Sequence, residues 1–332
     1  MSTTATPTAP VAVPRNATRK SVLAWAGYAA VVLVLGFFAV ASPHFATPGN
    51  IGAVLTQATV FAVAGIGLST VIATGGDDVL TGGIDLSVGA VCGLAGTIAA
   101  VATTAGLPAG TAILVSLAAA AAIGVTNGAA VVLGLRPLLA TLATMGIATS
   151  LELVISGNIK TALDGELFRW LREGSIAGLP AAVLVLVAIG ALAWWALGRT
   201  PFGINSYAVG NNATAAAVAG LNPNRYRFGS YVISSVLGGA AGILLASRLS
   251  AAVPGIGAQV LLDIILVAYM SAVFSRRLVV NVPGTVVAAV FVAGLSNGLT
   301  LLGVTSQWTG AAKGALILLV LAVVALRGRN AR

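Results

Sequence analysis

The stretch TGGIDLSVGAVCGLAGT (81–97) places one carboxylate, Asp85, at the head of an apolar run. Because Asp85 follows two glycines, its side chain can accept hydrogen bonds from the free backbone N–H groups of Ser87 and Val88. Its charge would also face the positive end of the helix dipole. We therefore expect Asp85 to cap a helix whose remaining turns are apolar.

The composition of the whole chain extends this expectation. Of its 332 residues, 58% are hydrophobic and 8% are charged, and the mean hydropathy is +1.03. Too few polar groups remain to cover a water-soluble globule, so we expect an all-α, polytopic membrane protein. The net charge of +9 comes from scattered Lys and Arg residues, which argues against a nucleic-acid-binding patch. Cys92 is the single cysteine, so no disulfide can form within the chain.

Gly, Pro, Asn and charged residues divide the chain into ten apolar stretches, each close to the roughly 20 residues that a helix needs to span a bilayer. Residues 1–20 precede them as a disordered, basic tail. The first stretch is too long for the core of a cleaved signal peptide, so we expect it to remain as a span. The ten stretches are 22–41, 51–74, 86–105, 109–133, 138–157, 178–198, 227–248, 260–275, 284–302 and 311–326.

Ten spans put both termini on the same side of the membrane. Most Lys and Arg residues then fall on that side, and the positive-inside rule makes it the cytoplasm. The longest loop on the other side, 157–178, mixes both signs of charge. We expect it to be a solvated connector, with a short amphipathic helix as the alternative.

Two short echoes suggest an internal repeat. GVTNG (124–128) in the fourth span recurs as GLSNG (294–298) in the ninth, and IDLSVGA (84–90) in the third recurs as LDIILVA (262–268) in the eighth. Each pair lies five spans apart, so the second copy must cross the membrane in the opposite direction. This pattern predicts inverted-topology repeats over spans 2–5 and 7–10, as in transporters whose pathway follows the repeat interface.

Polar side chains inside the predicted spans are the candidates for a substrate pathway, because they are costly at membrane depth. We expect Asp85 and Asp263 to cap their helices, with a pathway role as the alternative. Glu152 is the one carboxylate within a span interior, and an ion-coupled secondary transporter would depend on it. The candidate pathway residues are Gln57, Asp85, Asn127, Glu152, Asn297 and Trp308.

The sequence carries no motif for a chemical reaction of its own. It contains neither the phosphate-binding loop G-x-x-x-x-G-K-[ST] nor the metalloprotease motif H-E-x-x-H, and His44 is its single histidine. We therefore expect a non-catalytic chain without a metal or cofactor, driven by machinery on another subunit.

The segment YAVGNNATAAAVAGLNPNRYRFGS (207–230) contains residues that typically begin a helix and residues that typically end one. Asn211 or Asn212 can cap an alanine-rich helix that ends at Gly220, with Pro223 beyond it. Methyl side chains offer too little apolar area to anchor such a helix in lipid, but they suit close docking on another protein. A packed connector helix is the alternative. The predicted docking residues are Asn211, Asn212, Ala213, Ala216, Gly220 and Asn222.

Over about residues 22–326 the chain resembles the permease subunit of bacterial ABC importers of the ribose, xylose and arabinose type. Two of its departures from that family are Thr214 and Ala217, where an acidic and a basic residue often stand, and a third is the loop FSRRLVVNVPGT (274–285). The stretches that carry the resemblance are TGGIDLSVG (81–89), RPLLATLATMGI (136–147), AVG (208–210), GT (284–285) and NGLTLLGV (297–304).

The resemblance implies a transmembrane permease domain over 21–332, with a cytoplasmic coupling helix at about 211–222. It further implies two paired permease subunits, identical or different, which dock on separate ABC ATPase subunits in the bacterial inner membrane. A periplasmic or lipid-anchored binding protein would deliver a monosaccharide or related small polar solute.

Overall fold

The computed structural model describes residues 16–76, 83–275 and 279–329, and within them the chain is almost entirely helical. The strands pair antiparallel, β1 (Thr161–Ala162) with β4 (Ala251–Ala252) and β2 (Ser175–Ile176) with β3 (Leu179–Pro180). The helices are α1 (Asn16–Ala41), α2 (Pro48–Gly75), α3 (Ser87–Thr104), α4 (Ala109–Val132), α5 (Pro137–Ser156), α6 (Glu166–Glu173), α7 (Ala181–Arg199), α8 (Pro201–Asn211), α9 (Ala213–Val218), α10 (Pro223–Leu249), α11 (Ile256–Met270), α12 (Val282–Leu301) and α13 (Ser306–Arg329).

The prediction of an all-α, polytopic membrane protein is confirmed. Eight of the described helices are long and apolar enough to cross a membrane. They are α2, α3, α4, α5, α7, α10, α12, and α11 together with the 3₁₀ turn Ser271–Phe274 that continues it. The first and last predicted spans coincide with α1, whose apolar part is Gly27–Ala41, and with α13.

Parts of three predicted features lie outside the described residues. These parts are residues 1–15 of the tail, Thr81 and Gly82 of the opening stretch, and 276–278 of the loop at 274–285. Helix α1 begins at Asn16, so it takes in residues 16–20, which the sequence assigned to the tail.

The long loop between α5 and α7 is structured, which corrects the expectation of a solvated connector. Helix α6 buries Phe168 and Leu171, three residues apart on one face, and packs on α7 and α10. The amphipathic alternative is therefore the one observed. We call this end of the bundle the α6 end, and the opposite end, which carries α8 and α9, the α9 end.

Two sets of four helices, α2–α5 and α10–α13, pack in the same pattern, as an inverted repeat requires. Helix α3 packs on α4 and α5 in the first set, and α11 packs on α12 and α13 in the second. The sets interlock through their first helices, because α2 packs on α11 and α12 while α10 packs on α3 and α4. The two sets run in opposite directions across the membrane, since an odd number of crossings separates each helix from its counterpart.

Helices α3 and α11 both begin inside the bundle, where two glycines allow their backbones to touch. A Cβ on Gly89 in α3 would lie 2.6 Å from the carbonyl oxygen of Gly257, and a Cβ on Gly257 in α11 would overlap the carbonyl oxygen of Gly89. Both residues lie in the first turn of their helix. The two helices therefore start side by side and run apart toward opposite ends, so the segments that lead to them hold irregular backbone within the protein.

We predict that Gly257→Ala lowers the free energy of unfolding by about 1–3 kcal/mol, because the added methyl overpacks the contact with α3. Gly110 is the matched control, since it is also the second residue of its helix and a Cβ there meets no atom within 4 Å. Gly110→Ala should gain up to about 1 kcal/mol from helix propensity. Thermal unfolding in detergent compares the two variants, and equal stability would contradict the close contact.

Candidate functional site

A buried carboxylate lies at the start of α3. Asp85 is fully buried, and its Oδ1 accepts hydrogen bonds from the backbone N–H of Ser87 at 3.0 Å and from the Ser87 hydroxyl at 2.6 Å. Its Oδ2 accepts from the Ser234 hydroxyl at 2.8 Å. Asp85 thus accepts a hydrogen bond from the first backbone N–H of α3, as the sequence predicted, and also joins this helix to α10.

The hydrogen bonds of this cluster continue into two more helices. The Asn127 amide of α4 donates to the Ser87 hydroxyl at 2.8 Å and accepts from the Thr144 hydroxyl of α5 at 2.5 Å. Tyr231 of α10 donates to the backbone carbonyl of Ile84 at 3.3 Å. Four helices are therefore tied together where α3 begins, and two predicted pathway residues, Asp85 and Asn127, meet here.

A second buried carboxylate serves α11 in a similar way. Glu152 of α5 is buried and accepts a hydrogen bond at 3.2 Å from the backbone N–H of Gly255, the residue before α11. A Cβ on Gly93 of α3 would lie 2.8 Å from Glu152 Oε1, so this glycine makes room for the carboxylate. Sequence reasoning missed this role, because Glu152 is far in sequence from the helix that it serves.

The sequence assigned the role of capping the eighth span to Asp263, and that assignment is wrong. Asp263 lies in the middle of α11, where every backbone N–H already has a helical partner. Its carboxylate instead forms an ion pair with Lys313 of α13 at 2.7 Å, and both side chains are largely buried. The pair neutralises two charges between helices of the second repeat.

The other predicted pathway residues lie apart from the Asp85 cluster. Asn297 and Asn50 exchange two hydrogen bonds of 2.9 Å between α12 and the start of α2. Gln57 accepts a long hydrogen bond of 3.4 Å from Arg248, and Trp308 is 72% exposed. The six candidates therefore do not line one pocket among the described residues.

GLSNG (294–298) also fits the pattern G-x-S-x-G of hydrolase nucleophiles. That pattern needs its serine at a sharp strand-to-helix turn. Ser296 lies within α12 and its hydroxyl donates to the carbonyl of Val292 at 2.8 Å. The match therefore has no catalytic geometry.

The segment after α8 folds into the short helix α9, as its capping asparagine and terminal glycine predicted. The side chain of Asn212 caps α9 by accepting a hydrogen bond from the backbone N–H of Ala215 at 2.9 Å, while Asn211 ends α8. Gly220 has a positive φ of 86°, and Asn222 caps α10, which begins at Pro223. A rigid turn of helix therefore stands between α8 and α10.

The exposed face of α9 differs from the predicted docking residues in one position. Ala216 is only 6% exposed and faces the protein, whereas Val218 is 86% exposed. Thr214 and Ala217 are also exposed. Residues two positions apart on a helix point to different sides, so Ala216 packs inward and the outward surface is the one around Val218.

Helix α8 is bound tightly to the bundle. A Cβ on Gly210 would overlap the carbonyl oxygen of Ala73, and a Cβ on Gly76 would lie 2.7 Å from the carbonyl oxygen of Gly210, so the ends of α8 and α2 touch through bare backbone. Tyr207 donates to the carbonyl of Val280 at 2.8 Å, and burial raises the pKa of its phenol. The AVG stretch (208–210) thus supplies the glycine that lets α8 reach α2.

Residues 50–321 match the family model described as "Branched-chain amino acid transport system / permease component". The ribose import permease protein of Bacillus subtilis is 33% identical over 84% of this chain and 85% of its own length. The ribose import permease protein of Escherichia coli K12 is 30% identical over 89% and 91%. The xylose transport system permease protein of Haemophilus influenzae is 33% identical over 43% and 38%. No solved structure matches the chain.

The family match covers most of the chain, and the two ribose permeases align along most of their own length as well. The matched residues include most of both interlocked helix sets, together with the Asp85 cluster and α9. Permeases of this type are the non-catalytic transport subunits of their systems, consistent with the lack of a phosphate-binding loop. The chain belongs to this family of ABC-transporter permeases.

Proposed function

We propose that the chain is the membrane-spanning subunit of an ATP-driven importer in the bacterial inner membrane, and that its cargo is a monosaccharide or a related small polar solute. The observation that carries the proposal is its similarity to two ribose import permeases over most of its length. The proposed partners are separate ABC ATPase subunits, a periplasmic or lipid-anchored binding protein, and a second permease subunit, either identical or different.

We place the α9 end and both termini in the cytoplasm. Cations concentrate at this end in the described residues, as the positive-inside rule requires. On α7 the exposed Trp194 and Trp195 precede Arg199, whose guanidinium lies 5.0 Å from the Trp194 ring, and such aromatic residues favour the membrane–water interface. The described cations at this end are Arg19, Lys20, Arg136, Arg199, Arg225, Arg227, Arg327 and Arg329, against Lys160, Arg169, Arg172, Arg248 and Lys313 toward the α6 end.

The exposed face of α9 is the proposed ATPase-docking surface. Its side chains are small, and the exposed positions Thr214 and Ala217 carry no charge. Docking therefore depends on shape and apolar contact, with Val218 as its central side chain. Asn211, Asn212, Ala213, Gly220 and Asn222 set the position of this surface, and Ala216 holds it against the bundle.

Movement of α9 would reach both repeats at once. Helix α8 before it contacts the end of α2 through Gly210, and α10 follows directly after Asn222. Since α2 and α10 are the first helices of the two sets, ATP-driven displacement of α9 shifts one set against the other. The starts of α3 and α11 lie at the interface between the sets, where Asp85 and Glu152 hold them in the present arrangement.

A photo-crosslinking residue in place of Val218 tests the proposal directly. After irradiation of native membranes, mass spectrometry should identify an ABC-type ATPase as the captured protein. Ile176 is the matched control, because it is 55% exposed at the opposite end of the bundle. Capture of only lipid or the chain itself at Val218, with normal expression and insertion, would contradict the proposal.

The ion-coupled alternative makes a different prediction for Glu152. We predict that Glu152→Gln keeps uptake of D-ribose near the wild-type rate, because the amide oxygen still accepts from Gly255. Glu152→Ala should lower the free energy of unfolding by about 1–3 kcal/mol, since that part-buried N–H loses its partner. Loss of uptake in a well-folded Glu152→Gln variant would instead favour ion coupling.

We predict that Ser234→Ala lowers both stability and the rate of ATP-dependent uptake. The variant removes the hydroxyl that joins Asp85 to α10 and leaves Oδ2 unpaired, which costs about 1–3 kcal/mol. Ser235→Ala is the control, because the neighbouring buried hydroxyl has no hydrogen-bond partner among the described residues. Thermal unfolding and D-ribose uptake in membrane vesicles measure the two effects. Equal stability and equal uptake of the two variants would show that the Asp85–Ser234 hydrogen bond contributes to neither.

A further inference from the structure

An open cavity of about 360 Å³ lies at the α6 end of the bundle. The first two turns of α2, the end of α6, the β2–β3 hairpin and the last turn of α10 enclose it. Its volume falls within the roughly 300–1,000 Å³ of small-molecule sites. The polar side chains that line it are Thr56, Arg172, Glu173, Ser175 and Arg248.

The guanidinium groups of the two arginines in the cavity differ in their ion-pair and hydrogen-bond partners. Arg172 forms an ion pair with Glu173 at 2.8 Å. Arg248 is half-buried, and in the described part of the chain its guanidinium has no carboxylate within ion-pair distance. Its bond to Gln57 Oε1 is long, at 3.4 Å, and uses one of its five N–H groups. Arg248 therefore has donors available for a ligand in the cavity.

The mixture of polar groups indicates the kind of ligand. Arg172 and Arg248 only donate hydrogen bonds, Glu173 only accepts them, and the hydroxyls of Thr56 and Ser175 do both. A neutral polyol matches this set, because each of its hydroxyls both donates and accepts. A free carboxylate or phosphate could pair with Arg248, but because it only accepts hydrogen bonds it offers no donor to the oxygens of Glu173.

The backbone of α2 leaves the cavity open. Gly49 and Gly52 line its wall in the first two turns, and a Cβ on Gly49 would meet no atom within 4 Å. The opposite wall is the hairpin, whose turn includes Gly178 with a positive φ of 80°. The cavity is thus built by rigid elements at the end that the proposed function assigns to the outside.

We propose that this cavity binds a neutral, monosaccharide-sized polyol on its way into the bundle. The inference rests on the proposed function, which gives the direction of transport. Arg248, positioned by Gln57, donates to the hydroxyls of the solute, and Glu173 and the hydroxyl side chains accept from them. No aromatic side chain lines the described walls, so binding is weak enough for the solute to leave again.

Protection from an arginine reagent tests the binding site itself. Native membranes are treated with phenylglyoxal, and mass spectrometry follows the modification of each arginine. Millimolar D-ribose, D-xylose, L-arabinose or D-glucose should slow modification of Arg248 severalfold for at least one sugar. Arg169 is the internal control, because it is exposed on α6 and does not line the cavity.

Two results of this experiment would overturn the proposal. One is that none of the four neutral sugars protects Arg248. The other is that sodium D-ribonate protects Arg248 better than D-ribose does, which would make the cavity an anion site. Protection of Arg169 to the same degree would mean that the sugars act on the reagent and not on the cavity.

A cavity-filling variant gives an independent test. Gly49→Leu adds a side chain at the cavity wall, where a Cβ meets no atom within 4 Å, and should abolish sugar protection of Arg248 and lower uptake at least about tenfold. Gly110→Leu is the control, since Gly110 is likewise an uncrowded second residue of its helix and lies outside the cavity.

The two variants also separate this inference from the proposed function. Equal ATP-dependent uptake by Gly49→Leu and Gly110→Leu would overturn the cavity as a solute site and leave the importer intact. Absence of ATP-dependent uptake in the wild-type protein, with no ATPase captured at Val218, would overturn the importer, while sugar protection of Arg248 would still report on the cavity.

Discussion

The fold depends on how two helices can begin inside a membrane protein. The first turns of α3 and α11 expose backbone N–H groups at a depth where water is scarce, and each unsatisfied group there costs several kcal/mol. Asp85 supplies the acceptor at α3, and Glu152 supplies it at the residue before α11. The close contact of Gly89 with Gly257 then lets both starts share one place in the bundle.

The two repeats satisfy their buried charges by different means. Around Asp85 the partners are neutral hydroxyls and an amide, so α3, α4, α5 and α10 are joined by a hydrogen-bonded chain without a counter-charge. In the second repeat Asp263 is paired with Lys313. Two repeats with the same packing pattern therefore need not place the same polar residues at equivalent positions. The similarity of IDLSVGA (84–90) to LDIILVA (262–268) does not align the two aspartates, because Asp85 precedes α3 whereas Asp263 lies in the middle of α11.

The sequence was sufficient to predict eight of its ten spans as long apolar helices, because a bilayer requires long apolar stretches and the chain has few other residues. It also predicted the hydrogen bond from the Ser87 N–H to Asp85 and the helix after Asn212, since both depend on neighbours a few residues away. It did not predict the partner of Asp263 or the role of Glu152, because those contacts join residues far apart in the chain. Ala216 was misplaced for a different reason: a run of alanines has no amphipathic pattern, so its inward face cannot be read from composition.

The position of α9 is consistent with the proposed docking role of a helix that has no charged side chains. A docking surface must move with the elements behind it, and α9 is joined on both sides by short connections, Asn212 to α8 and residues 219–222 to α10. Gly210 and the end of α2 touch through backbone atoms, with no side chain between them. On the other side, α10 begins directly after its cap residue, Asn222. Under the proposed function, a displacement at Val218 would therefore reach the first helix of each repeat. Charge pairs would add affinity for a partner, but under the proposed function these two connections would carry the movement of α9 into both repeats.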